Sequence, residues 1–284
     1  MSISRFSPRR QLLWQSGSAA LLLFALLSQP VAAADAPASV FIEDMTWQEL
    51  ALRIQSGDTT VLVPIGGTEQ NGPDMALGKH NLRARLLAER IARQLRDAVV
   101  APVVAYVPEG DPKRDSGHLH FAGTLSVSSA AFEAELEGTA ESLYLHGVKW
   151  VVFLGDHGGY QDEMHRAANR LNAQYQHSGN KAVALDAYYR ASSEGFDALL
   201  KKQGFSEAEI GSHAGLADTS LTLAIAPQLV RADRLATDGK GGIAVGLHGN
   251  PSRASAELGQ RGVDLIVSES VRAIKAERLS GEPK

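Results

Sequence analysis

Apolar and polar positions change period repeatedly along this chain. The run VLVPI at Val61–Ile65 predicts a strand, and the amphipathic stretch Leu82–Arg96 predicts a helix with Leu82, Leu86, Ile91 and Leu95 on one side. A second strand is expected over Val99–Val107. A helix follows over Ala130–His146, capped by Ser128 or Ser129. Val148–Leu154 reads as a continuous buried strand, Tyr160–Gln176 as a helix, Ala182–Leu185 as a strand and Ala254–Leu279 as a closing helix. Strand runs without polar alternation are buried on both faces. The β-α-β-α rhythm therefore predicts an α/β fold, a mostly parallel sheet with helices on both sides. In such sheets ligands bind beyond the carboxyl ends of the strands, so chemistry is expected in the loops that follow the apolar runs.

The first 34 residues break this rhythm. Arg5, Arg9 and Arg10 precede QLLWQSGSAALLLFALLSQPV, and the segment ends at Ala32-Ala33-Ala34. A basic start, an apolar middle and a small-residue end make a secretory signal, with cleavage expected after Ala34. The alternative, a membrane anchor, is disfavoured because the apolar centre Ala19–Leu27 is short for a bilayer. The paired arginines in SPRRQLL resemble a twin-arginine signal, and a general secretion signal also fits. Residues 35–284 form one domain, since no linker or composition break divides them. The expected location is periplasmic or secreted, without membrane attachment after removal of the signal.

Charge and composition narrow the partners. The whole chain carries 28 basic and 32 acidic residues, and loss of three arginines leaves 25 − 32 = −7 in the mature part. With no basic patch, nucleic acid is not an expected partner. The absence of cysteine excludes thiol nucleophiles, thiolate metal sites and disulfides.

Three loops after apolar runs carry polar clusters: GGTEQNGPDMALGKH, SGHLHFAGT and GDHGG, and a fourth segment, SHAGLADTS, introduces an apolar helix. Glu69, His80 and His157 together supply one carboxylate and two imidazoles, a mixed donor set suited to zinc, manganese or iron. The alternative is a solvated acid with surface or capping histidines. His118 and His120 share a face if their segment is extended, as a ligand or proton shuttle or as a plain surface pair. Asp218 either handles protons or caps a helix, and Asp156 either orients an imidazole or binds metal itself. GSHAG is not a G-x-S-x-G elbow, and GDHGGYQ lacks the Lys-Ser/Thr ending of a phosphate loop.

The stretches PIGGTEQNGPDMALGKH, SGHLHFAGTLS, GDHGGY, HAGLADTS and GLHGNPSRASAELGQRG resemble, in order, the motifs of the creatininase (creatinine amidohydrolase) family, over about Trp47 to Ile274. The resemblance implies a three-layer α/β/α sandwich, a homo-oligomer and a metal-dependent hydrolase of C–N bonds in small amides or lactams. It supplies Glu69, His157, His118 and His213 at family positions. It departs where a family histidine is Asn71, where a bridging aspartate is His80, and where a glutamate is the shorter Asp218. Gly159 brings no second acid. The expectation is one tightly held divalent metal, zinc first, with manganese or iron also suited, on Glu69, His80 and His157. Asp218 would move the proton, while His213 or His118 would stabilise the oxyanion or leaving group. A non-catalytic relative that binds a small metabolite is the alternative.

Overall fold

The computed structural model describes residues 39–114, 116–235 and 242–281. The expected signal segment lies outside them. Four strands, β1 (Thr60–Ile65), β2 (Ala98–Val100), β3 (Trp150–Gly155) and β4 (Lys181–Ala184), form one sheet in the order β2-β1-β3-β4. Every pairing is parallel, and Val61 faces both Val99 and Val151 in register.

Side chains alternate across this sheet, and both faces are dry. Leu62, Val100, Val152 and Leu154 point to one side. There they pack on α2 (Lys79–Leu95), α8 (Leu216–Ile225) and the long closing helix α9 (Ala256–Gly281). Val61, Val63, Val99, Val151 and Phe153 point to the other side, against α3 (Ser129–Leu145) and α4 (Gln161–Gln174). The result is the expected three-layer α/β/α arrangement. The remaining helices are α1 (Trp47–Gln55), capped by Thr46, and the short α5 (Asp186–Arg190), α6 (Phe196–Lys202) and α7 (Glu207–Ile210). Among the described residues no helix is long and apolar enough to cross a membrane.

Two expected boundaries shift, and both matter for the site. The strand expected over Val99–Val107 pairs continuously only as far as Val100. Pro102 has no N–H for a ladder, so pairing resumes at one bridge, Ile65 with Val104. The chain after Val104 is thereby freed to cross the carboxyl ends of the strands. Helix α2 begins at Lys79 rather than Leu82, which places Lys79 and His80 on its first turn instead of in the loop. Ser128, not Ser129, caps α3 by accepting from the N–H of Ala131 at 3.2 Å.

The ends of β1 and β3 are stapled by one buried phenol. The Tyr160 hydroxyl donates to the carbonyl of Gly66 at 2.7 Å and accepts from the N–H groups of Asp156 and His157, each at 3.1 Å. Gly66 also touches the start of α2. A Cβ there would stand 2.2 Å from Asn81 Oδ1 and 2.7 Å from Asn81 Cα. Gly66→Ala is therefore expected to destabilise the fold by about 1–3 kcal/mol through overpacking. At roughly 2–4 °C per kcal/mol for a domain of this size, thermal unfolding by circular dichroism should read a drop of several degrees.

Candidate metal centre

Glu69 follows the end of β1 and is fully buried. A carboxylate with no solvent must be met by other groups, and four imidazoles converge on it. His80 Nε2 lies 2.8 Å from Oε1, and His213 Nδ1 lies 3.8 Å from the same oxygen. His118 Nδ1 lies 2.5 Å from Oε2, and His157 Nε2 lies 3.6 Å from it. Burial alone would push the Glu69 carboxyl up. Hydrogen bonds from His118 and His80 outweigh burial and hold it below the usual carboxylate range.

Two of the four rings are held as neutral imidazoles. Burial pulls His157 down to about 4 against the attraction of Glu69. Burial and the nearby Lys79 ammonium bring His213 down to about 4 as well. A neutral imidazole offers a lone pair, the form in which histidine binds a metal.

Behind His80 lies a balanced charge network. Its Nδ1 is 2.6 Å from Asp156 Oδ2, so the ring stands between two carboxylates. If Nδ1 carries the hydrogen toward Asp156, the Nε2 lone pair faces Glu69 Oε1. That contact is repulsive unless a proton or a cation lies between them. Asp156 is fixed in turn by Arg83 Nε at 2.9 Å and by the Tyr188 hydroxyl at 2.8 Å. This carboxylate–imidazole pairing is the support that metal-binding histidines commonly have. Of its two expected roles, orienting an imidazole or binding metal itself, the geometry gives Asp156 the first.

Asp218 is situated differently from its expected role in proton transfer. It lies in the first turn of α8 and accepts from the N–H of Ala214 at 2.9 Å. It is also paired with the Lys79 ammonium and with Arg83 Nη1 at 2.6 Å. Burial would raise its pKa, but the charges of Lys79 and Arg83 hold it well below the usual carboxylate range. A carboxylate gripped by two cations is a weak base. The geometry thus makes Asp218 an anchor for the first turn of α2, and thereby for His80.

The sequence reading missed Glu109. It lies after Pro108, on the crossing segment freed by Pro102, and its Oε2 is 3.8 Å from His157 Nε2. Oε1 is buried and has no hydrogen-bond partner among the described residues. Burial, reinforced by the charge of Glu69, pushes its pKa up to about 8. The run PEGDPKRDSG looks like a solvated charged loop, and only the buried setting distinguishes this acid. His120 stacks with Phe121 at a ring-centroid distance of 4.2 Å and is not among the imidazoles meeting Glu69.

The donor set fits a divalent cation. The ligand atoms of Glu69, His80 and His157 lie within 4.8 Å of one another, and those of Glu69, His118 and His213 do so too. Tetrahedral zinc–ligand bonds of about 2.0–2.2 Å put neighbouring donors roughly 3.3–3.6 Å apart, inside that limit. Among the described residues the ion-pair partners of Glu69 are imidazoles alone. Glu109 adds a second acid, whose Oε1 has no hydrogen-bond partner among the described residues. The centre opens on one side into a cleft of about 1200 Å³ that His118, His157 and Glu109 line. On the other side is a cavity of about 260 Å³ lined by His80, His213 and Asp218.

Fold and site together define an α/β/α protein with a candidate metal centre of one carboxylate and several imidazoles. Residues 43–274 match the Creatininase family model, described as creatinine amidohydrolase, and the chain belongs to that family. It is similar to the creatinine amidohydrolase of Pseudomonas putida, 28% identical over 202 residues, covering 69% of this chain and 76% of that protein. It is also similar to the mycofactocin precursor peptide peptidase of Mycolicibacterium smegmatis (strain ATCC 700084 / mc(2)155), 33% identical over 225 residues, covering 71% and 78%. A solved creatinine amidohydrolase superposes with a TM-score of 0.71 at 26% identity, covering 87% of this chain and 100% of that one. Creatininase structures of manganese and Zn-Zn type are among the structural neighbours.

The Asp218 anchor can be tested by stability. Its folded pKa is depressed, so its contribution is fully present above the ordinary carboxylate range near pH 4. That contribution is lost as pH falls below this range. Asp218→Asn leaves Lys79 and Arg83 short of one negative charge. It should cost about 3 kcal/mol or more at pH 7 and flatten the acid limb of a denaturant-measured stability profile. An unchanged acid limb would remove the anchor assignment.

Proposed function

We propose that this protein is a metal-dependent amidohydrolase that cleaves the C–N bond of an amide in the cleft beside His157 and His118. The observation that carries this reading is the buried Glu69 carboxylate, surrounded by imidazoles and, among the described residues, paired with no lysine or arginine. Glu69, His80 and His157 hold the cation. A bound divalent cation supplies a Lewis acid and lowers the pKa of a water toward about 7. Zinc and manganese are the first candidates, supported by the metal types among the structural neighbours.

The residues around that set divide the remaining work. Asp156 and Arg83 orient His80, and Lys79 and Asp218 fix the turn that carries it. Glu109 replaces Asp218 as the carboxylate serving the reaction, because it lines the cleft next to a ligand and has an oxygen without a hydrogen-bond partner among the described residues. It takes the proton of the attacking water and returns it to the leaving nitrogen. His118 lines the same cleft and contacts the substrate carbonyl side.

Small amides or lactams were the class expected from the sequence. The cleft volume of about 1200 Å³ exceeds the roughly 300–1,000 Å³ typical of small-molecule sites. That favours a longer substrate, with the amide at the metal and the rest extending past Lys113 and Arg114. A relative named as a peptide peptidase supports the same extension. Export by residues 1–34 and homo-oligomer assembly are part of this proposal, supported by the signal-like N-terminus and the family resemblance.

Amine release should be measured over a panel of lactams, linear amides and short peptides. Release is expected to depend on added manganese or zinc, to stop with chelator, and to favour the longer amides. His80→Ala should lose both metal and turnover. Glu109→Gln should keep metal and lower turnover by roughly 10²–10⁴-fold, the usual scale for a proton-transfer group. A chelator-insensitive protein with no release from any member of the panel would overturn the reading.

A further inference from the structure

We propose that the cavity of about 260 Å³ beside the candidate metal centre binds a cationic nitrogen of the substrate, with Asp197 as its counter-ion. This rests on the metal-dependent reading above and deepens it. The scissile amide lies at the centre and one arm of the substrate extends into the large cleft. A short arm that ends in an ammonium group enters the cavity on the other side.

The first observation is a charge left over. Asp197 lies in the first turn of α6 and lines the cavity. It is half-buried, and its carboxylate makes no hydrogen bond or salt bridge among the described residues. Lys201, one turn further along α6, is paired instead with Glu207 at 2.6 Å. Burial outweighs the attraction of Lys201 and pushes the Asp197 carboxyl up to about 6. It is therefore ionised at neutral pH and poorly compensated. The cations of the wall are spoken for, since Lys79 and Arg83 are paired with Asp218 and Asp156.

The second observation is the direction of the hydrogen bonds nearby. After α5 the helix widens into a π turn over Ala191–Gly195, and Ser192 and Ser193 on that turn line the cavity. Both hydroxyls donate to one carbonyl, that of Tyr189, at 2.8 and 2.9 Å. A hydroxyl has a single hydrogen, so what either can still offer a ligand is a lone pair. Two such acceptors with a carboxylate suit an ammonium group, which has three hydrogens to donate. A substrate carboxylate would meet a like charge there and find no hydrogen from either serine. The third observation is size and continuity. The cavity is smaller than the roughly 300–1,000 Å³ of sites that enclose a whole ligand, so it suits one arm. His80, His157 and His213 form its wall toward Glu69, and His157 lines the large cleft as well. A molecule that reaches from one space to the other passes the candidate ligands.

The test uses matched amides that share one long arm and differ at the end of a short arm, which carries an ammonium, a methyl or a carboxylate group. One series places the short arm on the acyl side of the scissile bond, and another on the amine side. With the metal-loaded protein, the ammonium member of one series is expected to exceed its methyl isostere by roughly 10–100-fold in kcat/KM, the scale of a hydrogen bond to a charged group. The carboxylate member should be the poorest. Asp197→Asn should bring the ammonium-to-methyl ratio close to one, and Asp197→Lys should turn the preference toward the carboxylate. The readout is a ratio within each protein, so a general loss of activity does not imitate it. Equal turnover of ammonium and methyl members by wild type in both series would overturn the cavity assignment and leave the functional reading standing. If no amide is turned over, the functional reading falls, and a nuclear magnetic resonance titration of the metal-free protein with propylammonium decides the cavity. Saturable shifts in wild type that Asp197→Asn abolishes support the assignment, and their absence from wild type overturns it.

Discussion

The site is organised by the burial of one negative charge. Glu69 is fully buried at the carboxyl end of the sheet, where an uncompensated carboxylate would cost several kcal/mol. Common solutions in a protein interior are a salt bridge to lysine or arginine, or protonation. Among the described residues no lysine or arginine pairs with Glu69, and its pKa is held down. Lys79 and Arg83 are close but are committed to Asp218 and Asp156. Imidazoles surround Glu69 instead, and burial keeps His157 and His213 neutral. A carboxylate buried among imidazoles is a candidate place for a cation.

The two arginine- and lysine-linked acids show how that place is kept rigid. Asp156 leaves the end of β3 and Asp218 sits in the first turn of α8, yet both grip the first two turns of α2. His80 rides on that helix. Its ring is set by Asp156, and its backbone is set by the turn that Lys79 and Arg83 hold down. Tyr160 completes the frame by tying the Gly66 carbonyl to the N–H groups of Asp156 and His157. The charges that look catalytic in the sequence are in part scaffolding, and the scaffolding is electrostatic.

The fold was largely legible because it depends on local pattern. The runs VLVPI and VVFL become adjacent parallel strands, since apolar residues at consecutive positions can be buried only between two helical layers. The shorter strand at Val99–Val107 has a local cause in Pro102, which interrupts the ladder inside an apolar run. The later start of α2 was expected because Lys79 and His80 are polar. Burial of a paired lysine cannot be foreseen without its partner. Glu69, His80 and His157 were legible as potential donors on two strand-end loops, and their ligand atoms lie within 4.8 Å of one another.

The sequence by itself determined the layers of this protein, the ends of the strands at which chemistry would gather, and which side chains could ligate a cation. Periodicity and residue type decide those matters, and both are properties of short segments. Only the tertiary structure decided that Asp218 is held by Lys79 and Arg83, that Glu109 is buried beside His157, and that Glu69 faces imidazoles on both sides. Each of these depends on groups 48 to 144 residues apart. The electrostatic character of a side chain is set by what surrounds it in space, and no spacing along the chain encodes that.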